Sequence, residues 1–200
     1  MKYAELIHTL HSTEASDAGF GSIKESYLAS YKAAEQYYTP EEMAVLYSLL
    51  DMIPDRKTLV HADAHTTNLL MSADGELMFI DMADTDLGHP VFDYAGIALA
   101  MIISMNGDRC LGICVMDKAE IPTFISIAFA RILRLTDPEE IKALIPRLVN
   151  LAFLKYAKVV GHNSVAANQM RPLLLNMLRN KLFGNLEQVK QDIQWFLDCV

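Results

Sequence analysis

The stretch Leu59-Val60-His61-Ala62-Asp63-Ala64-His65-Thr66-Thr67-Asn68, followed by Phe79-Ile80-Asp81, gathers the groups most able to do chemistry. An aspartate stands in a loop just past a short apolar run, an asparagine follows in the same loop, and a second aspartate ends the next apolar run. This combination suits phosphoryl transfer. One carboxylate orients and deprotonates an attacking hydroxyl, while an amide oxygen and a second carboxylate hold a magnesium ion on the phosphates.

Such residues need strands to place them. Thr58–His61 and Glu76–Asp81 read as short strands, with Asn68–Met71 and the turn Asp74-Gly75 between them. Hairpin-related strands here bring Asn68 and Asp81 together, with Asp63 facing both. The rest of the chain reads as helix. Ser22 with Glu25 forms a capping-box pattern ahead of a helix to about Tyr37, and Thr39-Pro40-Glu41-Glu42 opens another to about Met52. Tyr94–Met105 reads as a buried helix opened by Asp93, Pro122 starts a further one, and Asp137-Pro138-Glu139-Glu140 repeats the cap-proline-acid signature, with Pro146 expected to kink that helix. A helix over 170–183 stops at Gly184, and Asn185 is expected to cap a last amphipathic helix. Trp195, Phe196 and Met170–Met177 fall at helical spacing and read as core. The expected fold is mainly α with a small β insert, in one domain over 1–200: leading helices at 1–57, the β insert with the reactive loop at 58–90, and a helical subdomain at 91–200.

The run from His61 to Asn68, the Ile80-Asp81 strand end and Gly88-His89-Pro90-Val91-Phe92-Asp93 together resemble the aminoglycoside phosphotransferase and choline kinase family, relatives of protein kinases, and a bacterial branch of it in particular. The likeness covers about residues 5–105. It implies a protein-kinase-like C-lobe that transfers the ATP γ-phosphate to a hydroxyl of a small molecule. By the same resemblance Asp63 is the catalytic base, Asn68 and Asp81 are Mg2+ ligands, and His61, His65 and Asp93 support the loop, Asp93 by accepting backbone amides. Two positions depart from the family pattern. Ala62 stands where glycine is usual, which is tolerable only if the position avoids positive φ. Met82 follows the second aspartate, where an aromatic residue or glycine is usual.

Other parts of a kinase are not found. No Gly-rich loop and no strand lysine precede His61, so most of the nucleotide-gripping N-lobe is expected to be absent, or supplied by another segment or a second chain. Two rival readings follow. One is a non-catalytic kinase-like binding module. The other is a metal-dependent hydrolase using His61, Asp63 and His65, an alternating set suited to zinc.

Composition narrows the classes further. Apolar residues make up 52% of the 200 residues and charged residues 21%, enough for a substantial core. Residues 1–100 hold 5 Lys/Arg against 16 Asp/Glu, and residues 101–200 hold 12 against 9. The acidic first half argues against nucleic-acid binding and suits metal ions, a cationic substrate or a solvated surface. Asp84 and Asp86 read as part of a solvated loop, and His8 and His11 share a helix face without an acidic companion in the pattern. Cys110, Cys114 and Cys199 form no CxxC pair, which favours a reducing cytoplasm. The longest apolar stretch, from Tyr94 to Met105, is shorter than the ~20 residues a bilayer-spanning helix requires.

Overall fold

The computed structural model describes residues 2–15, 19–106 and 117–200, and of Ala166 the backbone alone. Cys110 and Cys114 lie outside the described residues; Cys199 is a free thiol.

Three helices lead. The first, α1 (Lys2–Ser12), buries Tyr3, Ala4, Ile7 and Leu10, one stripe at helical spacing. In α2 (Ile23–Ala33) the Ser22 hydroxyl accepts the Glu25 amide, and a separate 3-10 turn at Glu35–Tyr37 replaces the expected continuation to Tyr37. The helix α3 (Pro40–Asp51) starts on a complete capping box between Thr39 and Glu42, with proline in the first turn.

The β region consists of two small antiparallel pairs. The strand expected at Thr58–His61 shortens to β1 (Leu59–Val60). The hairpin is formed by β2 (Leu69–Met71) and β3 (Leu77–Phe79), with Leu69 opposite Phe79. A fourth strand, β4 (Asp86–Leu87), pairs with β1, Leu59 facing Leu87. This corrects the solvated-loop expectation for Asp86, whose Oδ1 accepts the Gly21 amide at 2.6 Å. Asp84 is exposed.

The central helix is α4 (Val91–Asn106), and Val91 through Ile102 are buried on every side of it. An all-round apolar helix needs neighbours all round, and α5 (Ile121–Ile132), α7 (Leu144–Leu151) and α8 (Phe153–Val160) pack on it. Between α5 and α7 the short α6 (Pro138–Lys142) starts on the Asp137 cap. The kink expected at Pro146 is a full break three residues earlier, at Ala143. A proline ring clashes with the carbonyl four residues back, here that of Lys142, the last residue of α6.

Helix α2 lies against α8, and a Cβ at Gly161 would fall 2.1 Å from the Ser30 carbonyl oxygen, so only glycine fits where these two elements meet. Beyond it, α9 (Val165–Met177) starts at a Ser164 cap, five residues before the expected start at 170, and carries Pro172. A π turn over Leu178–Leu182 and a 3-10 turn then lead to α10 (Leu186–Asp198). Asn185 precedes α10 but makes no side-chain cap bond, contrary to expectation. Phe196 is fully buried, while Trp195 is partly buried with the Arg147 guanidinium 4.1 Å over its ring. Among the described residues no helix is long and apolar enough to cross a membrane.

Candidate active site

The loop leaving β1 is fastened at almost every backbone polar group. Asp93, fully buried in the first turn of α4, accepts the His61 amide on Oδ2 at 3.0 Å and the Ala62 amide on Oδ1 at 2.7 Å. The His11 ring approaches the same Oδ2 at 2.9 Å, so the acidic partner that the local pattern around His11 lacked comes from a distant helix. The Ala62 carbonyl accepts from Lys155 Nζ at 2.7 Å, and the Ala64 carbonyl from the Tyr3 hydroxyl at 2.9 Å. With these bonds made, Ala62 is held at φ 69, in the left-handed region. The condition for tolerating alanine here is therefore not met, and the loop carries strain that glycine would not.

His61 is a structural wedge. Its Nδ1 accepts the Asp63 amide at 3.3 Å, which leaves Nε2 to donate to the Ile80 carbonyl at 3.0 Å, with the ring edge against Phe79. Both nitrogens are engaged, so His61 has no lone pair for zinc. Among the described residues no group of three or more His, Cys, Asp or Glu side chains is arranged to hold a metal.

Asp63 is presented differently, its side chain 43% exposed. His65 Nε2 donates to Asp63 Oδ2 at 3.1 Å, and the Thr67 hydroxyl supports the other ring nitrogen at 2.7 Å. The Asn68 amide nitrogen donates to the Asp63 carbonyl at 2.9 Å and to Oδ2 at 3.3 Å. Partial burial pushes the Asp63 carboxyl up, but the His65 hydrogen bond and the positive charge of Lys155 outweigh it and hold the group below the ordinary aspartate range. It is a carboxylate near neutral pH, able to orient a hydroxyl and accept its proton.

Because Asn68 turns its amide nitrogen toward Asp63, its Oδ1 is left to face elsewhere. The Ile80 amide donates to the Asn68 carbonyl at 3.0 Å, which sets Asp81 one residue beyond that rung. Asp81 is exposed at φ 58 and its carboxylate makes no hydrogen bond to another described residue. Asn68, at the end of the turn before β2, and Asp81, just past β3, each offer an oxygen of the kind a hard divalent cation takes alongside phosphates and water.

Opposite Asp63 lies a cleft of about 280 Å³ lined by Asp63, His65, Asp84, Gly96, Leu99, Ala100, Ile103, Lys155, Val159 and His162. A larger cleft of about 670 Å³ near Phe20, Lys24 and Arg56 contains none of the reactive groups. Asp63 therefore lines a small pocket to which α4 and α8 contribute the other walls. Lys155, His162 and the partnership of His11 with Asp93 went unread in the sequence.

The comparison with known families bears on this loop. The model described as the phosphotransferase enzyme family matches residues 2–112, more than half of the chain. The chain belongs to that family. None of the curated proteins matches it. The span that this phosphotransferase shares with its family runs from α1 through α4 and contains the whole loop, both hairpin strands and Asp93. It stops before α8, so Lys155 and His162 belong to a part of the chain that the family match does not reach.

Proposed function

We propose that this phosphotransferase moves the γ-phosphoryl group of ATP to a hydroxyl of a small molecule, with a kinase-like C-lobe formed around α4. The observation that carries the reading is the Asp63 carboxylate, held by His65 and Asn68 in the lining of the cleft. In the transfer, the acceptor oxygen bonds to the γ-phosphorus as the bond to the β,γ-bridging oxygen breaks. ADP leaves with that electron pair, and the hydroxyl proton passes to Asp63. His65 keeps the carboxylate turned toward the acceptor, and Lys155 helps keep it ionised. Asn68 Oδ1 and Asp81 would hold Mg2+, which supplies charge neutralisation on the phosphates.

Rate in such transfers comes mainly from alignment. The groups that grip the phosphates from above would come from an N-lobe-like segment or a second chain, and the setting would be the cytoplasm. Calorimetric titration with Mg-ATP tests the nucleotide side of this reading. Binding by the 200-residue chain should be weak and should be lost in Asp81→Ala. Affinity untouched by that substitution would remove Asp81 from the site.

A further inference from the structure

The α8 wall of the cleft limits what the acceptor can be. Resting on the phosphotransferase reading above, we propose that it is a small polyol carrying one anionic group, which docks on Lys155 while a hydroxyl meets Asp63. Three observations lead there.

The cleft holds about 280 Å³, at or below the ~300–1,000 Å³ of sites for drug-sized ligands. Its described lining has no Phe, Tyr or Trp, so it lacks the faces that recognise a quaternary ammonium. Its acids are Asp63 and Asp84, both on the loop side, whereas α8 contributes Lys155 and the segment just beyond it His162. Lys158 stands one turn further along α8, nearly buried, with its ammonium 4.7 Å from the centroid of the Tyr27 ring. Lys158 does not line the cleft, and a polycationic acceptor there would meet Lys155 with no carboxylate from α8 to offset it.

Lys155 is suited to an anion. One of its three ammonium hydrogens goes to the Ala62 carbonyl, leaving two for a ligand. It is anchored to the residue preceding Asp63, so an anion on Lys155 has a fixed offset from the proton acceptor. Leu99, Ala100, Ile103 and Val159 line the space with carbon, which suits the C–H face of a polyol. The acidity of the first half of the sequence, which on composition alone suited a cationic substrate, does not extend to this wall.

The test is equilibrium binding to the chain without nucleotide, using gluconate, its neutral counterpart sorbitol, and the polycation kanamycin as probes. Gluconate should bind about tenfold more tightly than sorbitol, the effect of one charge-assisted contact, and kanamycin should be weakest. Lys155→Gln should bring gluconate and sorbitol level while leaving Mg-ATP binding unchanged. Val159→Glu, which leaves the loop anchor intact, should place gluconate below sorbitol. The proposal fails if kanamycin binds best, if gluconate does not bind or does not exceed sorbitol, or if Lys155→Gln weakens Mg-ATP and spares the gluconate preference. Phosphate transfer to kanamycin would sink the anionic acceptor and leave the phosphotransferase standing. A Lys155-dependent gluconate preference without transfer to any hydroxyl, once the nucleotide site is completed, would do the reverse.

Discussion

Asp93 Oδ1 accepts the amide of Ala62 at 2.7 Å while Ala62 is held at φ 69. The buried carboxylate at the start of α4 thus holds the loop in a conformation that an alanine resists. Removing Asp93 leaves the amides of His61 and Ala62 without an acceptor in a buried place. Asp93→Ala should lower stability by about 1–3 kcal/mol, whereas Asp63→Asn, which keeps the shape of a half-exposed side chain, should be close to neutral. Denaturant titration of both variants decides it; equal small effects would remove Asp93 from the anchoring role.

Strain at Ala62 should be measurable directly. The left-handed conformation costs an L-residue roughly 1–2 kcal/mol, against a glycine entropy cost of roughly 0.5–1 kcal/mol. Ala62→Gly should therefore raise stability by about 0.5–1 kcal/mol, the difference between those two terms. Ala64→Gly, at a buried position without positive φ, should lower it. If both glycines destabilise alike, the strain is not there.

His89 predicts a pH dependence of folding. It is fully buried, its Nδ1 accepts the Val91 amide at 3.2 Å, and Nε2 has no partner among the described residues. Burial first, and then the charges of Arg56 and His11, push its pKa from 6.5 down to about 4. Between those values the unfolded chain binds a proton that the folded chain refuses, so stability falls as pH is lowered through that window. The loss attributable to His89 should reach about 2 kcal/mol between about pH 7 and about pH 5. His89→Asn, whose oxygen can still accept from Val91, should flatten the slope; an unchanged slope would assign it to other groups.

Lys155 should leave its mark on the rate profile. Its charge is among the causes that hold Asp63 below the ordinary aspartate range. In Lys155→Met the acidic limb of the rate profile should move to higher pH, and Lys155→Arg should restore it. A purely structural lysine would lower the rate at every pH and leave the limb in place.

How much of this could be read in the chain depends on distance along it. The Thr39 cap, the start of α5 at Pro122 and the residues of the reactive loop are local patterns, and each was legible. Pairing of β1 with β4 was not, because two-residue strands have no period to detect and their partners are set by the chain between them. Nor was the role of α8. Lys155 meets the Ala62 carbonyl across 93 positions, and nothing near Lys155 marks it off from a solvated lysine. Asn185 shows the converse failure, a good capping residue placed where the preceding turns leave its side chain no amide to take.

The most direct test follows the phosphorus itself. With Mg-ATP, a polyol acid acceptor and whatever segment completes the nucleotide site, 31P NMR should show a phosphate ester growing as the γ-phosphate signal falls. Asp63→Asn, folded and binding Mg-ATP like the parent, should form that ester at least 100-fold more slowly, at the lower end of the ~10²–10⁴ range for a general base. Ester formation at the parent rate in Asp63→Asn, or release of inorganic phosphate alone with every acceptor, would contradict the account.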